Sequence, residues 1–581
     1  MINTIRESEE TTDFYRKEKN CESFERSKVM RRFNAIMMVM VFMFTGVVSV
    51  TQAAQKFRRI PVKEYVDKMK AGWIGQIIGV SWGAPTEGRY RQIMPEKDMP
   101  PFRDSLINDA FGQDDIYVEM TFLRTLELYG MDVSIRQAGI DFANSRYPLW
   151  VANNAGRNNL RNGIAPPDSS HPKFHSCAGA IDYQIEADYS GLIAPGMPNV
   201  VIALGEKFGR LMNYGDGMYA GQFMGGMYAE AFFEKDVLKV IEAGLRCIPV
   251  ECLYAEMVRD MLRWRRENPN WEKTWELVDK KYRSPDYYIS QLDVKLEGAF
   301  VLMGLLYGDG DLDKTMVISC RCGSDSDCNP SSSGGVLFTT LGVSKLPDRY
   351  YKQLNEKAVF SHTAYTFPAL IDVCEKLARQ SVVKAGGRIE KDANGEEVFA
   401  IPIESPKPSR FEDLRKPGPI ADSSFTKKEM AKITVMAGKD LSEAISKFAP
   451  GWKLAKCGED MNPGLLAEWA GKKSVLMTHP LDRNTGCVLS KKVKIPGNKK
   501  TTLHLVVGHH PEGDWTLLVK ADGKELLSTS VGKETAENGW MQTDVDLSDY
   551  AGKEINLELV NQPSGWQWEA GYWAKIELMS E

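Results

Sequence analysis

The stretch 63-KEYVDKMKAGWIGQIIGVSWG-83 carries apolar residues around most of its circumference and small ones at Gly72, Gly75, Gly79 and Gly83. A helix that is apolar all round belongs in a protein interior, and glycines three to four residues apart let a neighbouring helix come close. The segment 114-DDIYVEMTFLRTLELYG-130 repeats the first property. The segment 215-GDGMYAGQFMGGMYAEAFF-233 repeats the second, with Gly217, Gly221 and Gly225 four apart. The helical pattern runs from Val62 to about Val383, which predicts an all-α domain over 60–383.

Downstream the pattern changes. The stretch 386-GGRIEKDANGEEVFAIPIESPKPSRFEDLRKPGPI-420 sets an Asn394-Gly395 turn between alternating runs and then becomes Pro-rich. It reads as a linker over 384–432 with one small hairpin, a connector expected to cross little buried surface. Beyond it the alternation has period two, as in 503-LHLVVGH-509, 515-WTLLVKADGKELLS-528 and 553-KEINLELVNQ-562. This predicts a β-sandwich over 433–581. The chain is thus multidomain, all-α followed by all-β, and its 581 residues exceed one ordinary core.

A composition of 43% hydrophobic and 26% charged residues is that of a globular protein, and a net charge of -5 without a Lys/Arg run argues against a nucleic-acid partner. Near the N-terminus Met30-Arg31-Arg32 precedes the apolar run 35-AIMMVMVFMFTGVVSV-50 and the small residues of 51-TQAA-54. Residues 30–53 therefore read as a signal peptide and residues 1–29 as an upstream extension. The expected location is periplasmic or secreted. The apolar run is short for a membrane span, and no stable membrane anchor is expected. Of ten Cys, Cys21 falls in the part removed, and the remaining odd number is not a disulfide framework. Cys457 and Cys487, in one module, are a candidate pair.

Two acidic pairs open apolar helices: Asp114 and Asp115 in 112-GQDDIYVEM-120, and Asp325 and Asp327 in 320-CRCGSDSDCNPSSSGGVLFTTLG-342. Acids favour helix N-termini for dipole reasons alone, so a single pair says little. Four carboxylates converging in a tightly packed domain call for hard cations, with a Mg²⁺ or Mn²⁺ pair the natural occupant. The stretch 146-RYPLWVANNAGRNNLRNGIAPPDSSHPKFH-175 is rich in Asn and Arg. Trp150, Asn153 and Asn154 suit stacking on a polar ligand and hydrogen bonding to its hydroxyls, or equally a surface loop that caps helices. His171 and His175 are four apart, but the surrounding prolines exclude a zinc-binding helix.

In order, 75-GQIIGVSWGAPTE-87, 113-QDD-115 and 323-GSDSDCNPSSSGG-335 resemble the ADP-ribosylglycohydrolase family over about 320 residues. The resemblance implies an all-α fold, a centre of two Mg²⁺ or Mn²⁺ ions, one ion remaining open, and hydrolysis of an N- or O-glycosidic bond to a ribose. It makes Asp114, Asp115, Asp325 and Asp327 metal ligands. It gives Glu87, with Asp115, the catalytic part of positioning or deprotonating the attacking water. Three positions depart from the family: Gln113 and Cys328 stand where it has threonines, and Val80 where it has an aspartate. A neutral thiol is a poor ligand for a hard cation, so one site is weakened, completed by water or Asn329, or lost, while Gln113 still offers a carbonyl oxygen as a metal ligand.

The C-terminal strings 540-WMQTDVDLSDYAGKEINLEL-559 and 565-GWQWEAGYWAKIEL-578 resemble galactose-binding-like jelly-roll modules. Their Trp540, Trp566, Trp568 and Trp573 form either a sugar-stacking platform, with a polysaccharide as partner, or a sandwich core. The function expected is a secreted, metal-dependent glycoside-type hydrolase acting through metal-activated water on a sugar or glycoside. Two alternatives stay open: a carbohydrate-binding protein with a degenerate centre, and a true ADP-ribosyl hydrolase on extracellular targets.

Overall fold

The computed structural model describes residues 56–283, 292–433, 439–458, 461, 463–565 and 568–581. The expected extension and signal segment, and Trp566, lie outside them. Phe57–Glu581 form one unit. Among the described residues no helix is long and apolar enough to cross a membrane.

Seven helices position the site: α1 (Val62–Gly83), α2 (Asp114–Tyr129), α3 (Val151–Arg161), α4 (Asp216–Ala231), α5 (Val294–Tyr307), α6 (Cys328–Leu341) and α7 (Phe367–Lys384). Helix α1 is buried almost continuously from Ala71 to Gly83, as its all-round apolar sequence requires. Its glycines lie against α6 and the loop before it. A Cβ on Gly79 would sit 2.2 Å from the Pro330 carbonyl oxygen, and one on Gly83 1.9 Å from that of Ser326. Only the absence of a side chain allows this approach, which brings the end of α1 onto the loop that carries Asp325 and Asp327.

Among the described residues thirteen strands complete the fold. β1 (Phe57–Pro61), β2 (Arg388–Lys391) and β3 (Glu397–Pro402) form a small antiparallel sheet in the order β1-β3-β2. The hairpin read as part of the linker is therefore paired with the strand that leads directly into α1, and Val398–Ile401 are buried. The connector after it also differs from the expectation. Asp168 accepts the backbone N–H groups of Ala421 at 2.8 Å and Ser423 at 2.7 Å. The Tyr219 hydroxyl donates to the Arg410 carbonyl at 2.7 Å, Arg210 pairs with Glu412 at 2.9 Å, and Arg136 makes two 2.7 Å bonds to Glu429. The Pro-rich stretch is a strap stitched along the helical body. Its missing apolar residues hid this, because the partners are backbone groups and ions.

The remaining strands are β4 (Lys453–Ala455), β5 (Gly464–Trp469), β6 (Lys472–Thr478), β7 (Cys487–Lys494), β8 (Thr501–His509), β9 (Trp515–Ala521), β10 (Lys524–Val531), β11 (Trp540–Asp546), β12 (Glu554–Gln562) and β13 (Gly571–Ser580). They make two antiparallel sheets, β10-β9-β12-β7-β4 and β11-β8-β13-β6-β5. One core joins both sheets, with Leu517, Val519 and Leu557 from the first and Leu503, Leu505 and Trp573 from the second. Trp573 donates to Thr478 at 2.9 Å and Trp540 to the Ala470 carbonyl at 3.0 Å, so both are core residues with satisfied indole N–H groups. Trp568 is different: it is 42% exposed and stacks on His510 with centroids 4.4 Å apart. Cys457 and Cys487 are free thiols placed side by side, and burial together with Cys457 pushes the Cys487 thiol up.

Candidate metal centre

Gln113 is the N-cap of α2, with extended backbone and a side chain that does not close the helix end. Asp114 and Asp115 follow in the first turn, where the exposed N–H groups and the helix dipole favour negative charge. Burial raises the Asp114 carboxyl, and the N–H groups of Asp114 and Asp115 pull it back. Asp115 is buried, and the Ser331 hydroxyl is the one side-chain donor that reaches its carboxyl, without a close hydrogen bond to either oxygen. Burial, then the charges of Asp114 and Asp327, push its carboxyl well up.

The second acidic pair comes from a strained loop. Gly323 and Ser324 have φ of +81° and +62°, and Ser324 is held there by its N–H to the Tyr90 carbonyl at 2.7 Å. A left-handed backbone at a non-glycine residue costs energy that the surroundings must hold in place. Asp327 occupies the N-cap of α6 without spending its carboxylate on a capping bond. Asp325, Asp327 and Cys328 each place one ligand atom within 4.8 Å of the others, and all three are buried. Asp325 Oδ2 has no donor. Burial pushes both aspartates well up, followed by the charge of Glu297 at Asp325 and of Asp325 at Asp327.

Glu87 follows the short 3-10 turn Ala84–Thr86 at the end of α1. The same loop pair locks it in place: Gly88 N–H donates to the Ser324 carbonyl at 3.0 Å, and the Thr86 and Ser326 hydroxyls lie 2.9 Å apart. As a residue Glu87 is exposed at the rim, but its carboxyl is turned inward toward Asp327 and Asp114. The charge of Asp327, then burial of the carboxyl and the charge of Asp114, raise it well above the usual range. The structure thus gathers Glu87, Asp114, Asp115, Asp325 and Asp327, with the tightest contact among Asp325, Asp327 and Cys328. An acceptor-rich, donor-poor group of oxygens fits a hard divalent cation.

The predicted substrate residues divide. Trp150 is the N-cap of α3 and is 41% exposed, while Asn154 lies half-buried on the first turn. Asn153 points inward: its backbone N–H donates to Asp182 at 2.8 Å and its Nδ2 to Glu186. The charge of Asp114 reaches both acids. His171 lies away from this group, against the Gly418 carbonyl of the strap at 3.0 Å. A surface groove of about 630 Å³ lined by Met131, Arg379 and Lys384 contains none of the residues above.

Sequence reasoning missed Asp182, Glu186 and Glu297. They are acids spaced through apolar stretches, Asp182 and Glu186 with Asp188 in 178-AGAIDYQIEADYSGLIAPG-196 and Glu297 in 294-VKLEGAFVLMGLLY-307. A charged residue on a helix that is apolar all round has no solvent face to occupy, and that signal was available.

A family model described as ADP-ribosylglycohydrolase matches residues 61–385, more than half of the chain. No curated protein matches. Among solved structures, an "ADP-ribosylglycohydrolase-related protein complex" is 14% identical, covering 55% of this chain and 99% of its own, with a TM-score of 0.36. A cyclase from Fischerella sp. TAU is 15% identical over 22% of this chain and 74% of its own, at 0.17. The CBM35 from Paenibacillus barcinonensis is 10% identical over 23% and 96%, at 0.18. Likenesses at these scores carry no argument, and the assignment rests on the sequence match.

Proposed function

The chain belongs to the ADP-ribosylglycohydrolase family, and from that premise we propose that it is an exported, metal-dependent hydrolase cleaving an N- or O-glycosidic bond. The observation that supports this most is the convergence of two buried acidic pairs that have few donors, with Asp325 Oδ2 lacking one altogether. Asp114, Asp115, Asp325 and Asp327 hold one or two divalent cations, with the Gln113 amide oxygen in reserve. Mg²⁺ or Mn²⁺, when bound, supplies Lewis-acid polarisation of the sugar oxygens and of water. Glu87, at the rim beside these carboxylates, orients the attacking water and takes its proton. Trp150 and the first turn of α3 meet the glycone. Export, read from residues 30–53, favours a free or polymer-linked sugar met outside the cytoplasm, and the exposed Trp568 suits stacking on a polysaccharide.

Calorimetric titration with Mg²⁺ and Mn²⁺, joined to a screen of released sugars with and without the ions, tests the reading. Binding of either ion together with ion-dependent release supports it. Absence of both leaves the carbohydrate-binding alternative. Cys328 sharpens the test, because its Sγ lies 3.8 Å from Asp327 Oδ1. Cys328→Thr offers a neutral oxygen in its place, and the expected result is tighter ion binding with activity held or raised.

A further inference from the structure

Position 328 lacks the hydroxyl that a hard-cation centre uses, and the neighbouring residue carries a free neutral oxygen. Asn329 is fully buried, and its Nδ2 donates to Glu297 Oε2 at 2.7 Å. Only the Nδ2 end of the amide donates, and this bond turns that end toward Glu297 on α5. The other end, Oδ1, has no hydrogen-bond partner. Buried amides ordinarily satisfy both ends.

Two more oxygens in the same place are open. Asn329 lies one turn beyond Asp325, its N–H donating to the Asp325 carbonyl at 3.2 Å. Asp325 Oδ2 is buried without a donor, and Glu297 Oε1 is buried without a close hydrogen bond, the Ser324 hydroxyl and the Asp325 N–H being the other donors that reach the Glu297 carboxyl. Glu297 also exerts the largest charge effect on Asp325, which supports their closeness. The basic group whose charge reaches Glu297 is Arg283; its Nε is engaged by Asp279, and its two terminal nitrogens are buried without a hydrogen bond to Glu297. Three buried oxygens, one on the amide and two on carboxyls, gathered at a proposed metal ligand suit a cation that prefers oxygen.

We infer that Asn329 Oδ1 is a ligand of the divalent cation held by Asp325, taking the part of the hydroxyl absent at position 328, and that Glu297 is the positioning residue that clamps its amide. This rests on the metal-dependent reading above. The clamp matters because a rotated amide would present N–H groups to the cation. Partners that orient a ligand in this way are worth about 10–100-fold in metal affinity.

The experiment is Mn²⁺ titration of the purified full chain by calorimetry, with the unfolding midpoint of the metal-free protein measured alongside. Asn329→Leu, of similar size but without the oxygen, is expected to weaken binding about 10–100-fold, and Glu297→Leu, which removes the acceptor that clamps the amide, about 10-fold. The double variant Glu297→Gln with Asn329→Asp reverses the hydrogen bond while keeping an oxygen in place, and should recover most of the affinity. If Asn329→Leu does not fold, the smaller Asn329→Ala, which removes the same oxygen, decides. Unchanged affinity in a folded variant, with only the metal-free midpoint lowered, overturns the inference and makes the pair structural. Failure of the unmodified protein to bind Mn²⁺ overturns the metal-dependent reading itself, a result distinguishable from the first.

Discussion

The helical body and the β-sandwich treat buried charge in opposite ways. In the helical body Asp115, Glu119, Asp182, Glu186, Asp188, Glu297, Asp325 and Asp327 are all buried, and most keep an oxygen without a close hydrogen bond. In the sandwich the buried carboxylate among the described residues is Glu569, which accepts the N–H groups of Ser564 at 3.0 Å and Gly565 at 2.6 Å. Burying an unpaired carboxylate costs several kcal/mol by the general rule for ions. A fold that tolerates a group of them does so for a ligand, whereas the sandwich is built for stability. The difference locates the chemistry in the helical body.

The comparison predicts its own largest effect. Asp327→Asn should abolish ion-dependent activity and weaken divalent binding more than about 100-fold, beyond the loss expected for an orienting partner. The same change should raise the unfolding midpoint of the metal-free protein, since it removes a charge from a crowded group. Calorimetry and a melting curve on one preparation check both. A lowered midpoint would mean that the acids hold the fold together and would dissolve the contrast.

The reverse experiment belongs to the sandwich. Trp573 is fully buried, its ring 5.4 Å from that of Trp515. Trp573→Ala should cost about 3–5 kcal/mol in denaturant unfolding, with divalent affinity unchanged. A change in affinity would show that the two regions are coupled.

Next in size is a pH effect confined to the helical body. Burial raises Asp182 to about 7 and Asp188 to about 8, against about 4 for an aspartate in the unfolded chain. The folded chain therefore holds more protons across that interval, and stability falls as pH climbs from about 4 through about 8. Scanning calorimetry should show the transition of the helical body moving down by several degrees while that of the sandwich stays. Equal movement of both would remove the distinction.

The smallest effect concerns the strap. Arg136, about a third exposed, grips Glu429, and Arg136→Ala should cost about 1 kcal/mol with activity intact. Limited proteolysis provides a second check: the strap predicts protection at Pro406.

Several parts of this arrangement could be read along the chain. The acidic pairs were legible because two adjacent or near-adjacent acids at the start of an apolar helix break a one-dimensional pattern. The glycine row of α1 was legible as a close-packing face, and it does meet α6. The strap was not, since its anchors are backbone groups of Ala421 and Ser423 and ions such as Arg210 and Glu412, none of which changes a hydrophobic period. Glu297 and Asn329 were separated by thirty-two positions, and no local rule joins them.

The sequence by itself determined the helix-then-strand order, because burial periodicity is a local property: all-round apolar for buried helices, alternate for half-buried strands. It also determined which residue types are available to hold a cation. Tertiary structure alone decided which acids lose their water and their donors. Desolvation and charge repulsion depend on distances through space, and those were set by α1 closing on the loop before α6 at Gly79 and Gly83.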